Sequence, residues 1–217
     1  TVWFPMITYR YNDPENDYFK SFNLMGPFAS LNVYDSKLLS FDIIGQYDFG
    51  RQKGDDNSLE TLQDIDPHFN IGFDAAYKLP YDLSIDFGYE TGVSDPGKEV
   101  ALKYALTHTK YLWVNFSQPL INKASFSMNY ANSDFMDEWF STPSTTKYSR
   151  YKAKSGFYSN KISNMTIIPS GETLSFFVNI EYERLRGNAA SSPLVKDQGS
   201  KHQYLFMFSL VFELWNF

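Results

Sequence analysis

Alternation of apolar and polar residues at a period of two recurs along this chain and constrains its fold more than any other feature. Phe69, Ile71, Phe73, Ala75 and Tyr77 alternate with Asn70, Gly72, Asp74, Ala76 and Lys78. Leu83, Ile85, Phe87 and Tyr89 alternate with Ser84, Asp86, Gly88 and Glu90. Phe41, Ile43, Tyr47 and Phe49 share one face, and Ser40, Asp42, Gln46 and Asp48 the other. Phe126, Met128 and Tyr130 alternate with Ser125, Ser127 and Asn129. Leu174, Phe176, Val178, Ile180 and Tyr182 alternate with Ser175, Asn179, Glu181 and Glu183, with Phe177 the exception. Successive side chains of a strand point to opposite faces, so these are strands with one apolar and one polar side. No convincing helical period and no strand–helix alternation appear, and the chain reads as all-β.

Such strands suit either a soluble sandwich or a membrane barrel, and the connections discriminate. Strands are expected near 2–10, 18–34, 38–50, 68–78, 83–92, 100–118, 124–134, 154–168, 173–186 and 203–217. The connections then alternate in length: 11–17, 51–67, 93–99, 135–153 and 187–202 are long, and 35–37, 79–82, 119–123 and 169–172 are tight. Outer-membrane barrels have short periplasmic turns and long extracellular loops, a parity a sandwich has no reason to keep. The expectation is a transmembrane antiparallel up-and-down β-barrel, one domain over residues 1–217, with ten strands and both termini periplasmic. A turn at Thr107-His108-Thr109 inside the long 100–118 segment would give twelve. Pro5 and Pro27 fall within expected strands, where a residue with no N–H needs a bulge or a strand end.

Composition agrees. A net charge of −6 and a sequence pI near 5.0 argue against nucleic-acid binding, which draws on a basic surface. Mean hydropathy is −0.38, and no run approaches the roughly 18 apolar residues of a spanning helix. There is no cysteine, hence no disulfide, thiolate metal site or cysteine nucleophile. Aromatics reach 18%. Trp3, Tyr47, Tyr77, Tyr89, Trp113, Tyr182 and Trp215 suit the interfacial girdles of a barrel. Thr1-Val2-Trp3 reads as strand with no leader pattern, as expected of a mature or trimmed chain. The final segment, Gln203 to Phe217, is apolar or aromatic on both faces. Its ending on Trp215 and Phe217 resembles the signal that barrel-insertion machinery reads.

Side chains with chemistry fall in three places. The inward faces carry Asp42, Asp48, Asp74, Asp86, Glu90, Glu181 and Glu183, with Lys78 and Lys103 as partners for some. Rings of acids select cations in a pore; the same groups cross-linked to Lys, Arg and Tyr close a lumen. Ten strands lie near the eight whose bore side chains just fill, which favours an occluded lumen. His68, after Asp64 and Asp66, and His202 lie at the outer rim, where a rim-site hydrolase or a solvated loop end ordered by Asp turns are the readings; His108 is the third histidine. Loop 135–153 is rich in aromatics, with Phe135, Trp139, Phe140, Tyr148 and Tyr151 beside Met136, and either folds over the barrel mouth as a lid or meets a partner. No Gly-x-Ser-x-Gly, His-Glu-x-x-His or phosphate loop occurs, and no catalytic, cofactor or metal site is expected.

Three segments resemble the MipA/OmpV family of outer-membrane proteins. Phe49-Gly50-Arg51 with Leu62-Gln63-Asp64-Ile65-Asp66 is similar to its Phe-Gly-Arg and Gly-Asp-Ile-Asp. Ser133-Asp134-Phe135-Met136 with Phe140-Ser141 is similar to its Asp-(Tyr/Phe)-Met element. Gly187-Asn188-Ala189-Ala190-Ser191-Ser192-Pro193-Leu194-Val195 is similar to its Gly-Asp-Ala-Ala-x-Ser-Pro loop. The chain departs at Gln63 and Asn188, in an insertion at 93–99, and in lacking a strand-like segment that usually precedes the position of Val2. The resemblance implies a bacterial outer-membrane barrel that scaffolds envelope partners, such as a lytic transglycosylase acting on murein. It also implies contact with lipid, lipopolysaccharide and the insertion machinery. A narrow cation-preferring channel is the alternative function. Four turns of three to five residues offer little docking area, so a partner is expected on the barrel wall or outer loops.

Overall fold

The computed structural model describes residues 8–212 except 13–14, 16–17, 55, 95–96, 114–118, 146 and 172–173. Among the described residues, eleven strands run in chain order through one sheet. They are β1 (Thr8–Asn12), β2 (Ser21–Met25), β3 (Phe28–Asp35), β4 (Leu39–Asp48), β5 (His68–Leu79), β6 (Leu83–Gly92), β7 (Val100–Leu112), β8 (Leu120–Ala131), β9 (Gly156–Pro169), β10 (Leu174–Leu185) and β11 (His202–Phe212). Each strand pairs antiparallel with the next. The sheet curls until β1 lies beside β11. The expected all-β, antiparallel, up-and-down architecture is therefore present, and β7 runs unbroken through residues 107–109.

Segmentation differs at two places. β7 ends at Leu112 and β8 already begins at Leu120, so residues 120–123 of the tight turn expected at 119–123 lie within a strand. The segment 18–34 is a tight hairpin: Gly26, at φ +56, and Pro27 turn the chain between Met25 and Phe28. Pro27 thus sits where its missing N–H costs no ladder bond. The hairpin reverses everything before it. Asn12 pairs with Ser21 and Ser21 with Asn32, so the 13–20 connection starts and ends at the turn end of the sheet. It does not join the long loops, as its length suggested. For the same reason β1 runs from the loop end to the turn end, parallel in direction to β11, and the expectation of both termini on one side has no support. Trp3, Pro5, Trp215 and Phe217, and with them the expected insertion signal, lie outside the described residues.

The two faces follow the alternation. Ile43, Ile71, Ile85, Leu106, Ile162 and Ile180 are exposed on the outer wall. Asp74, Asp86 and Glu181 point into the lumen. On β11, Tyr204, Phe206, Phe208 and Leu210 face outward while Met207 lines the lumen, which resolves the strand whose faces looked alike. No described helix is long and apolar enough to cross a membrane; the continuous apolar surface belongs to the strands. Gly72 brings β5 and β6 close, since a Cβ there would strike the Tyr89 carbonyl.

Candidate functional site

The lumen holds a chamber of about 640 Å³. Buried Phe177 and Ile167 gather Met25, Ile121, Met165 and Met207 into an apolar cluster, of which Met25, Met165, Phe177 and Met207 line that chamber. Phe177, the exception to the alternation of β10, is one of its two buried residues.

Of the expected polar set, Asp48, Asp74, Asp86, Glu90, Lys103, Glu181 and Glu183 line this chamber. Lys103 Nζ pairs with Asp74 at 2.8 Å, and Gly88 makes room, since a Cβ there would meet the Asp74 carboxylate and the Lys103 stem. Asp86 accepts from Ser84 at 2.7 Å and from Thr107. Asp42 accepts from Asn32 at 3.2 Å. Lys78 is not among the lining residues. It pairs with Asp35 and donates to the Ser36 carbonyl at 2.8 Å, closing the turn end. Lys123 and Lys161 line the chamber instead, Lys161 lying 3.3 Å from Glu181. Neither stood out in the sequence, although Lys123 lies in phase with Ser125 and Ser127. Seven carboxylates, Glu99 included, face three lysines, so the lining is acidic.

Over the chamber mouth lies a crown built from three loops. Its centre is α1 (Ser133–Phe140), inside the segment expected to be a lid or a partner surface. Asn132 caps its start, accepting from the Phe135 N–H at 3.1 Å, and also accepts from the Val100 N–H and donates to the Lys98 carbonyl. A side-chain oxygen at this position satisfies a donor that the first helical turn leaves unpaired. Phe135 and Trp139 face the chamber, and Met136 is buried with Ala131, Ala153, Leu185, Ala189, Ala190 and Val195. The segment thus packs at the chamber mouth.

The three segments singled out in the sequence converge on the end of this helix. Gly50, at φ +69 with no room for a Cβ against the Ile65 carbonyl, lets Arg51 and Ile65 exchange backbone hydrogen bonds. Arg51 then reaches up: its guanidinium donates to the Glu138 and Trp139 carbonyls at 3.2 and 3.0 Å. From the third segment, folded as α2 (Gly187–Ser191) and a wider turn over Leu194–Gln198, Ser192 Oγ donates to the Phe140 carbonyl at 2.6 Å. Tyr151 OH donates to the Asn188 carbonyl at 2.8 Å. The last carbonyls of a helix have no partner within it, and here two other loops supply three.

The rim histidines serve these loops and the wall. His68 Nδ1 lies 2.9 Å from the Asp66 carbonyl, and Asp64 accepts from the Lys53 N–H at 2.7 Å, both turn-ordering contacts. His202 bonds Tyr182 OH at 2.7 Å. His108 sits in β7 opposite Leu83. At the mouth, burial and the neighbouring Glu138 carboxylate push the Glu99 carboxyl up to about 7.

Residues 1–214 match the family model described as MltA-interacting protein MipA. No curated protein matches the chain.

Proposed function

The chain belongs to the MltA-interacting protein MipA family, and from that premise we propose that it is an outer-membrane β-barrel acting as a scaffold for envelope proteins, a murein hydrolase first among them. The observation that carries this reading is the apolar cluster of Phe177, Ile167 and three methionines inside the lumen, which we read as narrowing the bore, so that the barrel acts through its surfaces. The exposed isoleucines and phenylalanines of the outer wall suit lipid and the acyl chains of lipopolysaccharide.

With long loops outside, the turn end faces the periplasm, where murein lies. That end offers more than tight turns, because the 13–20 connection joins it and carries Tyr18, 87% exposed, alongside Tyr81 at 88% and Trp113 at 73%. A stable interface needs about 800 Å² per partner, and this enlarged, aromatic end is the docking surface we assign. Photoreactive residues at Tyr18, Tyr81, Phe208 and Arg150 in native membranes test it. Hydrolase adducts are expected at Tyr18 and Tyr81. Adducts only at the wall or crown would move the surface, and no protein adduct at any position would end the scaffold reading. The acidic chamber favours one second reading, a cation passage, which requires a path past the apolar cluster around Phe177.

A further inference from the structure

We propose that the chamber is a binding site for a linear polyamine, an elongated organic cation whose ammonium groups are separated by methylene chains. This goes beyond the scaffold reading and requires neither a protein partner nor a conducting bore.

Charge comes first. Two of the three lining lysines are taken, Lys103 by Asp74 at 2.8 Å and Lys161 by Glu181 at 3.3 Å. Of the seven carboxylates and three lysines, five and one remain, so the lining keeps an excess of four negative charges. The excess is spread out. Asp86, Ala105, Ser127, Lys161 and Glu183 stand in register on five successive strands, and all five line the chamber. Asp86 and Glu183, at the two ends of this row, form no ion pair among the described residues. They are four strand spacings apart, roughly 19 Å along the wall. Among the described residues, no three His, Asp or Glu side chains are grouped to hold a metal ion. A compact ion would meet one of these carboxylates at a time, whereas linked ammonium groups meet several at once, each raising the effective concentration of the next.

An independent observation comes from the middle of the row. Ser127 is 3% exposed, and its hydroxyl has no hydrogen-bond partner among the described residues. Nearby polar side chains are paired, Ser125 with Ser163 at 2.8 Å and Ser159 with Asn129 at 2.8 Å. Buried polar groups are nearly always hydrogen-bonded, so Ser127 takes its partner from what fills the chamber, and an ammonium N–H donates to a hydroxyl oxygen. Ala105, opposite Ser127 in the ladder, keeps the wall low at that point. The rest of the lining matches the rest of such a molecule. Phe135 and Trp139 bring aromatic rings, which attract ammonium groups, to the mouth. Phe177, Met165 and Met207 offer apolar surface to the methylenes. A volume of about 640 Å³ falls within the range of small-molecule sites.

Spermidine, titrated calorimetrically into the full chain folded in detergent at low ionic strength and neutral pH, tests this. One saturable site per chain is expected. Asp86→Asn and Glu183→Gln should each weaken it about tenfold, the loss of one charge-assisted contact. Ser127→Phe fills the middle of the row without altering any charge and should abolish binding. Glu60→Gln removes a carboxylate that pairs with Lys147 away from the chamber, and this variant should bind like the parent. Magnesium at the same concentration of positive charge should displace little spermidine. Heat-modifiable migration on a gel first establishes that each variant is folded; if Ser127→Phe does not fold, Ala105→Leu makes the same test. The proposal is overturned by the absence of saturable binding, by full displacement with magnesium, by parental affinity in any chamber variant, or by an equal loss in Glu60→Gln.

Discussion

Arg51 and Trp139 stand 88 positions apart in the chain and are joined by a 3.0 Å hydrogen bond from guanidinium to backbone carbonyl. The same guanidinium takes the Glu138 carbonyl, so one side chain closes much of the helix end. Arg51→Ala should leave those carbonyls without partners and destabilise the crown by about 1–3 kcal/mol per buried group left unpaired. Amide exchange in residues 133–140 should quicken while β5 to β8 stay protected. Arg51→Lys should recover only part of the loss, because an ammonium lacks the planar fork. Unchanged exchange in α1 would remove the clamp from the account.

Gly72 and Gly54 make a matched pair. A Cβ at Gly72 would strike the Tyr89 carbonyl, whereas nothing lies within 4 Å of one at Gly54. Gly72→Ala should force β5 and β6 apart and lower the fraction that folds in detergent, read from the heat-modifiable band on a gel. Gly54→Ala should fold like the parent.

The wall prediction concerns Ile85 and Ile180, each 54% exposed on the apolar face. Arginine at either should cost about 2–4 kcal/mol if the position sits at the bilayer midplane. Urea titration in phospholipid vesicles measures this. An Ile85→Arg protein as stable as the parent would reassign that face.

The apolar cluster around Phe177 and the acidic chamber together predict conductance. The parent should show no steady current in planar bilayers. Phe177→Ala should cost about 3–5 kcal/mol through the cavity it leaves and admit small, cation-preferring steps. Those steps should weaken when Asp74 and Asp86, which line the chamber, are replaced by Asn. Steady current in the parent would make the passage reading the primary one.

The alternation made the strands and their faces legible, because a buried-or-lipid face imposes a period of two on every strand. The Gly26–Pro27 turn was hidden by its neighbours: Met25 and Phe28 are both apolar, so the hairpin reads as one strand. Helix α1 carries a local signal of its own. Phe135, Met136, Trp139 and Phe140 recur at helical spacing, and Asn132 stands where a cap belongs. Eight residues are too few for the period to announce itself. Lys78 matched the inward phase of β5, yet Asp35 at the neighbouring turn captures it, and phase carries no information about height along the bore. Nothing local could tell that Arg51 and Ser192 end on the same helix.

That convergence also bears on how the fold comes apart. In the sheet, each strand touches mainly the strand before and the strand after it, as links in a chain do, and a chain of links opens one at a time. Arg51, α1 and Ser192 follow β4, β8 and β10, so their bonds are cross-braces between links that are not neighbours. A braced ring resists local opening until the brace fails. The strands from β4 to β10 should therefore melt together as one unit, and cutting the brace at Arg51 should turn that single transition into a gradual one.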